Sequence, residues 1–326
     1  MIKMAHMETP IKPNEPKERE ESEEELKERA EKIIERMNQI MSQAKGDEET
    51  EVFDKPIDVS LKALVTKPSE VTNKKQLVGF VTGTFLDNLY LNEQNQSLNG
   101  VPMVGQIGVV GLSGVGKSLL AQEILLKVTN RGEGVVFITS EDVFNSDNER
   151  FDLQSRLMAK AKSLGLDWGQ IQKNLYVLDC IKYGQLSEFE TLIGVYRNLI
   201  EDSKNNIKLL VIDSLTLLDS RSMLKVRLLQ LAKFNQLRGI TALYVCQRSE
   251  EETDRFAISG GISVAHDLDS VICIDFAKAM SEMKDQLAKK QWEMVHFCRI
   301  LSCRLTGFNR KYTEMEITSE GFLRAK

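Results

Sequence analysis

Eight residues, Gly111-Leu112-Ser113-Gly114-Val115-Gly116-Lys117-Ser118, constrain the fold of this 326-residue chain more than any other stretch. They satisfy the pattern GxxxxGK[ST] at every fixed position, after an apolar run (107–110) and before a helix-forming one (119–128). A loop of this kind belongs at the turn from a buried strand into the N-terminus of a helix, within an α/β sheet. Glycine lets the backbone bend until successive N–H groups point into one concavity, which holds anions. The helix that follows adds the partial positive charge of its N-terminus at the same spot. Lys117 is expected to reach the β- and γ-phosphates of a nucleotide, and the Ser118 hydroxyl to ligate Mg²⁺. Gly111, Ser113, Gly114, Val115, Gly116 and Leu119 complete the expected nucleotide-binding set.

The rest of the chain repeats the same alternation. Strand-like apolar runs fall at 106–110, 135–139, 175–179, 209–212, 241–246 and 270–275. Helical stretches begin between the first five of them, near Lys117, Phe151, Ser187 and Arg221. Strand and helix in turn imply right-handed crossovers and a mostly parallel, twisted sheet with helices on both faces. A final group, 295–305 and 312–317 with a turn at 319–321, predicts strands and a hairpin at the end of the sheet. No internal repeat is present, so one such domain is expected, over 79–326.

A phosphate loop needs a second, metal-orienting carboxylate on a neighbouring strand. The run Lys208-Leu209-Leu210-Val211-Ile212-Asp213 supplies one, with Asp213 at the carboxyl end of a buried strand, the edge of an open α/β sheet where ligands bind. Hydrolysis also needs a group that orients or deprotonates water. The strand after the loop's helix runs into Ser140-Glu141-Asp142. Glu141 is the expected catalytic carboxylate and Asp142 the next choice, the alternative being that both only cap the next helix.

Composition bounds the remaining possibilities. With 42% hydrophobic and 28% charged residues, the chain has the make-up of an ordinary globular protein. No stretch approaches the ~18 uninterrupted apolar residues of a membrane span, and the start lacks the regions of a signal peptide, so a cytoplasmic protein is expected. The net charge of -5 belongs to the N-terminal end: residues 1–51 carry 15 acids and 9 bases, the remainder 33 and 34. No broad basic surplus marks nucleic acid as the main partner. The five cysteines form no CxxC pair and are expected to be reduced, mostly buried apolar side chains. His6, His266 and His296 are too scattered for a zinc site. Residues 1–50 read as an acidic extension that is flexible at first and then helical. In it Leu26, Ala30, Ile33, Met37, Ile40 and Ala44 form a heptad seam, and an amphipathic helix over 17–45 could dock on its own domain, on a neighbouring subunit or on a partner protein. Residues 51–78 form a lead-in with no assigned structure.

The details resemble the KaiC ATPases of the RecA-like P-loop family. Thr82-Gly83 with Leu86-Asp87, then Asn99-Gly100-Val101-Pro102 and Gly105-Gln106, look like that family's approach to its phosphate loop. Glu141-Asp142 stand where KaiC-like proteins carry paired catalytic glutamates, and Cys246-Gln247 is similar to the wider family's strand end with a γ-phosphate-sensing glutamine. The resemblance implies Mg²⁺-ATP as ligand, hydrolysis assisted by Gln247, and a homo-oligomer, a hexamer by likeness. Near the C-terminus, where the family reads close to LKMRG, this chain has Leu301-Ser302-Cys303-Arg304-Leu305. Arg304 keeps the arginine that reaches a neighbouring subunit's site, but Ser302 replaces the lysine, which implies slower hydrolysis or another arrangement of subunits. A regulatory ATPase is the leading expectation. An ATP-gated scaffold with little turnover stays open, as does a DNA-binding paralogue of RadA, although the loop 248–255 carries four acids against two bases. Autokinase activity has no recognisable target residue.

Overall fold

The computed structural model describes residues 77–146, 152–202, 204–215, 223–248 and 267–326. The helix expected over 17–45, nearly all of the lead-in and most of the loop 248–255 lie outside the described residues. The strands are β1 (Gly79–Phe80), β2 (Tyr90–Leu91), β3 (Val101–Pro102), β4 (Gln106–Gly111), β5 (Gly134–Thr139), β6 (Leu175–Asp179) and β7 (Ile207–Asp213). They continue with β8 (Thr241–Gln247), β9 (Ser270–Lys278), β10 (Met294–Cys303), β11 (Gly307–Phe308), β12 (Thr313–Ile317) and β13 (Leu323–Ala325). The helices are α1 (Lys117–Asn130), α2 (Leu153–Ser163), α3 (Trp168–Asn174), α4 (Phe189–Glu201), α5 (Leu224–Arg238) and α6 (Ser281–Gln286).

Nine strands form one sheet in the order β13-β12-β10-β9-β4-β8-β7-β5-β6. The six from β9 to β6 are parallel, and β10, β12 and β13 extend the sheet antiparallel. The parallel strands read as continuous apolar runs because both faces are covered. In β5, Val135 and Phe137 face the helices α1, α2 and α3, packing with Leu120, Leu157 and Ile171. Their neighbours Val136 and Ile138 face α4 and α5, packing with Leu192, Tyr196 and Leu228. One residue of slip in any such strand would exchange the two cores.

Local chemistry sets the helix ends. Asp152 caps α2 by accepting from the backbone N–H groups of Gln154 and Ser155. Gly239, at φ +69°, closes α5 in the left-handed conformation that glycine adopts without cost. At the lower end of the sheet, Tyr244 donates to Gln106 Oε1 at 2.8 Å and Asn235 donates to the same oxygen at 3.0 Å. Tyr196 donates to Asn235 Oδ1 at 2.7 Å, so β4, β8, α4 and α5 share one buried polar network. The approach segment is held similarly: Asp87 accepts from the Thr82 backbone and hydroxyl and from the Gly83 backbone. Four of the five cysteines are buried, and burial pushes their thiols up, Cys246 to about 12. They pack as the small apolar side chains that the sequence implied.

Candidate active site

The phosphate loop leaves the top of β4, and its glycines meet two different requirements, close approach and positive φ. A Cβ at Gly111 would collide with the carbonyl oxygen of Ile274 on β9. Gly114 and Gly116 adopt φ of +77° and +93°, values an L side chain rarely takes. Gly116 also stands at the N-cap of α1 without a capping side chain, so the first amides of the helix are left for a ligand. The resulting cleft, about 280 Å³ in volume, is lined by Ser113, Gly114, Gly116, Lys117, Ser118, Leu119, Glu141, Val245 and Gln247. Gly111 and Val115 belong to the loop but are buried and do not line the cleft.

Lys117 is buried, and its ammonium donates to the carbonyls of Gly111 at 3.0 Å and Leu112 at 2.6 Å. Burial lowers its pKa, while Asp213 and Glu141 act to raise it. The carboxyl of Asp213 is only 4% exposed, and burial pushes its pKa up to about 6. A hydrogen bond from the Ser118 hydroxyl works against that rise, and the negative charges of Glu141 and Asp142 add to it. One oxygen of this carboxylate, Oδ1, is buried with no hydrogen-bond partner. An orphaned buried acceptor is costly, and a cation beside it would remove the cost. Two oxygen donors, Ser118 and Asp213, suit Mg²⁺, which keeps several waters and takes further oxygens from substrate phosphates. Among the described residues no group of three or more His, Cys, Asp or Glu could hold a metal without such help.

Asp213 does not lie on a strand next to β4, as the sequence had led us to expect. β8 runs between them, so Gln247 at the end of β8 sits directly between the loop and β7. Its Nε2 donates to Glu141 Oε1 at 3.5 Å, bringing Gln247 and Glu141 together over the cleft. Asp142 turns away: its Oδ1 pairs with Arg156 of α2 at 2.6 Å, and it does not line the cleft. Neither acid caps α2, whose cap is Asp152. Arg304 follows β10 and is engaged within its own chain, with Nε 2.7 Å from Asp269 Oδ1 and a second nitrogen 3.3 Å from the Asp267 carbonyl.

Two supports of the loop had no sequence signature. His296 of β10 has Nε2 at 3.0 Å from the carbonyl of Val115, an acceptor, so this nitrogen carries the proton. Burial lowers the pKa of its ring, and the Val115 carbonyl acts against that. Arg248, next to Gln247, donates its backbone N–H to the Gly111 carbonyl at 3.0 Å and pairs with the buried Asp275 of β9 at 2.7 Å. That pair spans the end of β4 from one flank to the other. Alternation of faces along β10 could have pointed to His296, and nothing in the sequence pattern pointed to Arg248.

A family model described as "ATPase: KaiC" matches residues 82–323. Among solved structures the chain is similar to a KaiC-like protein from the hyperthermophilic archaeon Pyrococcus horikoshii, at 19% identity and a TM-score of 0.54. That likeness covers 77% of this chain and 99% of the other, and bears on the fold. No curated protein is detectably similar in sequence.

Proposed function

The chain belongs to the KaiC ATPase family, an ATP-binding ATPase domain of RecA-like fold, and from that premise we propose that it hydrolyses Mg²⁺-ATP as an oligomer with a regulatory role. One observation carries the reading: Glu141 and Gln247 meet at 3.5 Å over the same cleft that Lys117 and Ser118 line. The amides of residues 113–119 cradle the phosphates, and Lys117 exchanges its two loop carbonyls for β- and γ-phosphate oxygens. Ser118 and Asp213 hold Mg²⁺, which when bound offsets the charge that gathers on the phosphate oxygens. Glu141 orients a water in line with the γ-phosphorus and takes its proton as the bond to ADP breaks. Gln247 donates to that carboxylate and, a side chain's length from the loop, senses the γ-phosphate. Arg304 is the candidate residue in trans. The acidic N-terminal segment is a candidate contact for a protein partner.

A second reading, an ATP-gated scaffold with little turnover, is favoured by the engagement of Arg304 with its own Asp269 and by the serine at 302. Steady-state phosphate release and oligomer mass, measured with and without Mg²⁺-ATP for wild type and Glu141→Gln, separate the two. Turnover by an ATP-dependent oligomer, lost in the variant while ATP still binds, supports the first. ATP-dependent assembly without turnover in the wild type supports the second.

A further inference from the structure

The sequence sets Val115 between two glycines, Gly114 at φ +77° and Gly116 at φ +93°. Glycine on both sides lets the chain take the turns of the loop, and the same freedom lets the peptide unit between Val115 and Gly116 turn over. The direction of that unit matters to a phosphate. Its bond is trans, and in a planar trans peptide the C=O and the N–H point in opposite directions. Gly116 lines the cleft and Val115 does not. With the carbonyl turned outward, the Gly116 N–H faces into the cleft. With the unit turned over, a carbonyl oxygen would meet the phosphates instead and repel them.

His296 selects between the two arrangements. Its Nε2 donates to the Val115 carbonyl at 3.0 Å from outside the cleft, which His296 does not line. The ring is itself held in place. It is buried, and it stacks on Phe276, its register partner on β9, with centroids 4.3 Å apart at 25°. On the other flank of β10, Phe297 and Cys298 pair with β12. The remaining ties to loop carbonyls lie elsewhere: Gly111 accepts from the Arg248 backbone and from Lys117, and Leu112 accepts from Lys117. On the proposed reading Lys117 gives up those carbonyls when it turns to the phosphates, whereas His296 can keep its own.

We propose that His296 is a positioning residue of the phosphate site, holding the Val115 carbonyl outward so that the Gly116 N–H stays aimed at a phosphate oxygen. The inference rests on the reading of the cleft as an ATP site, and it deepens that reading. His296 touches neither phosphate nor metal and acts through the peptide unit alone. A donor aimed before the ligand arrives needs no reorganisation when it binds. A phenyl ring would fill the same space and stack on Phe276 equally well, so the Nε2–H is what the loop requires of this position.

Mg²⁺-ATP and inorganic tripolyphosphate, which has the phosphates and no base, are titrated calorimetrically into full-length wild type, His296→Phe and His296→Gln. Phenylalanine keeps the packing and loses the donor, so both ligands should bind about tenfold more weakly. Glutamine carries its Nε2 the same number of bonds from Cβ and should recover most of the loss for both. Unaltered affinity in His296→Phe, or a loss that glutamine does not recover, overturns the proposal. In the ATP-bound wild type at about pH 8, ¹⁵N shifts of the histidine rings should show His296 protonated at Nε2. A bare Nε2 there overturns the proposal as well, whether or not His296→Phe folds. Wild-type protein that binds neither ligand overturns the ATP reading and this inference together, whereas tight wild-type binding with an indifferent His296→Phe overturns this inference alone.

Discussion

Asp213→Asn should make the metal-free protein more stable at neutral pH while abolishing the proposed Mg²⁺-dependent turnover. The carboxyl is buried, and burial raises its pKa from 3.8 to about 6 against the smaller opposing effects of Ser118 and Lys117. Between those two values the folded protein holds a proton that the unfolded chain has released. The folded state then binds more protons than the unfolded one, so stability falls as pH rises from about 4 through about 6. At neutral pH the accumulated loss is about 3 kcal/mol. Asparagine keeps the shape, can still accept from Ser118, and carries no charge to bury. For a domain of this size the variant's Tm should exceed that of the wild type by on the order of 5–10 °C at pH 7.5 without metal. The gap should narrow steadily toward pH 5. Thermal unfolding followed by circular dichroism, at several pH values in EDTA, reads both. Adding Mg²⁺-ATP should then raise the wild type's Tm more than the variant's, because only the carboxylate draws the cation. A variant no more stable than wild type at pH 7.5, or a gap of the same size at pH 5, would refute the reasoning about burial.

The two adjacent acids should part company: Glu141→Gln lowers turnover by about 10²- to 10⁴-fold with ATP affinity retained. Asp142→Asn, which loses only the half-exposed pair with Arg156, leaves turnover near wild type and costs at most about 1 kcal/mol, and phosphate release together with urea unfolding reads both. The loop glycines should differ as well, because Gly114→Ala meets no atom within 4 Å and pays only the left-handed backbone cost of about 1–2 kcal/mol. Gly111→Ala drives a methyl into the Ile274 carbonyl and should abolish ATP binding measured by titration. Arg248→Ala removes the cation beside the carboxylate of Asp275, which is only 1% exposed and keeps the Phe276 backbone N–H, and should destabilise the domain by about 3 kcal/mol in urea unfolding, with Arg248→Lys recovering part of it.

What the sequence could and could not say follows one physical division. Requirements of the local backbone are written in residue types: glycines where φ is positive, a lysine and serine opening α1, an acid ending an apolar strand. The phosphate loop, Asp213, the alternating elements and the C-terminal hairpin were legible for that reason. Choices among distant partners leave no such mark. Nothing within β8 announces that it inserts between β4 and β7, because strand pairing is settled by which apolar run fills the gap. Glu141 and Asp142 are adjacent carboxylates, and the pair with Arg156 on α2 holds the second of them out of the cleft. The histidine that braces the loop looked like a stray residue until the pleat of β10 and the pairing with β9 set it beside Phe276 and Val115. Arg304 shows the same division at the level of function. Its type and place fit a cation for a neighbouring active site, yet its guanidinium lies against the buried carboxylate of Asp269, which also accepts from the Gln106 backbone at the root of β4. A role in trans therefore has to be balanced against leaving that carboxylate with one partner fewer. A neighbouring subunit would draw Arg304 away only by offering charge of comparable strength, and the phosphates of a bound nucleotide are the one such group the proposed reaction supplies. Any contribution of Arg304 to turnover should for that reason appear only when ATP and a second subunit are both present.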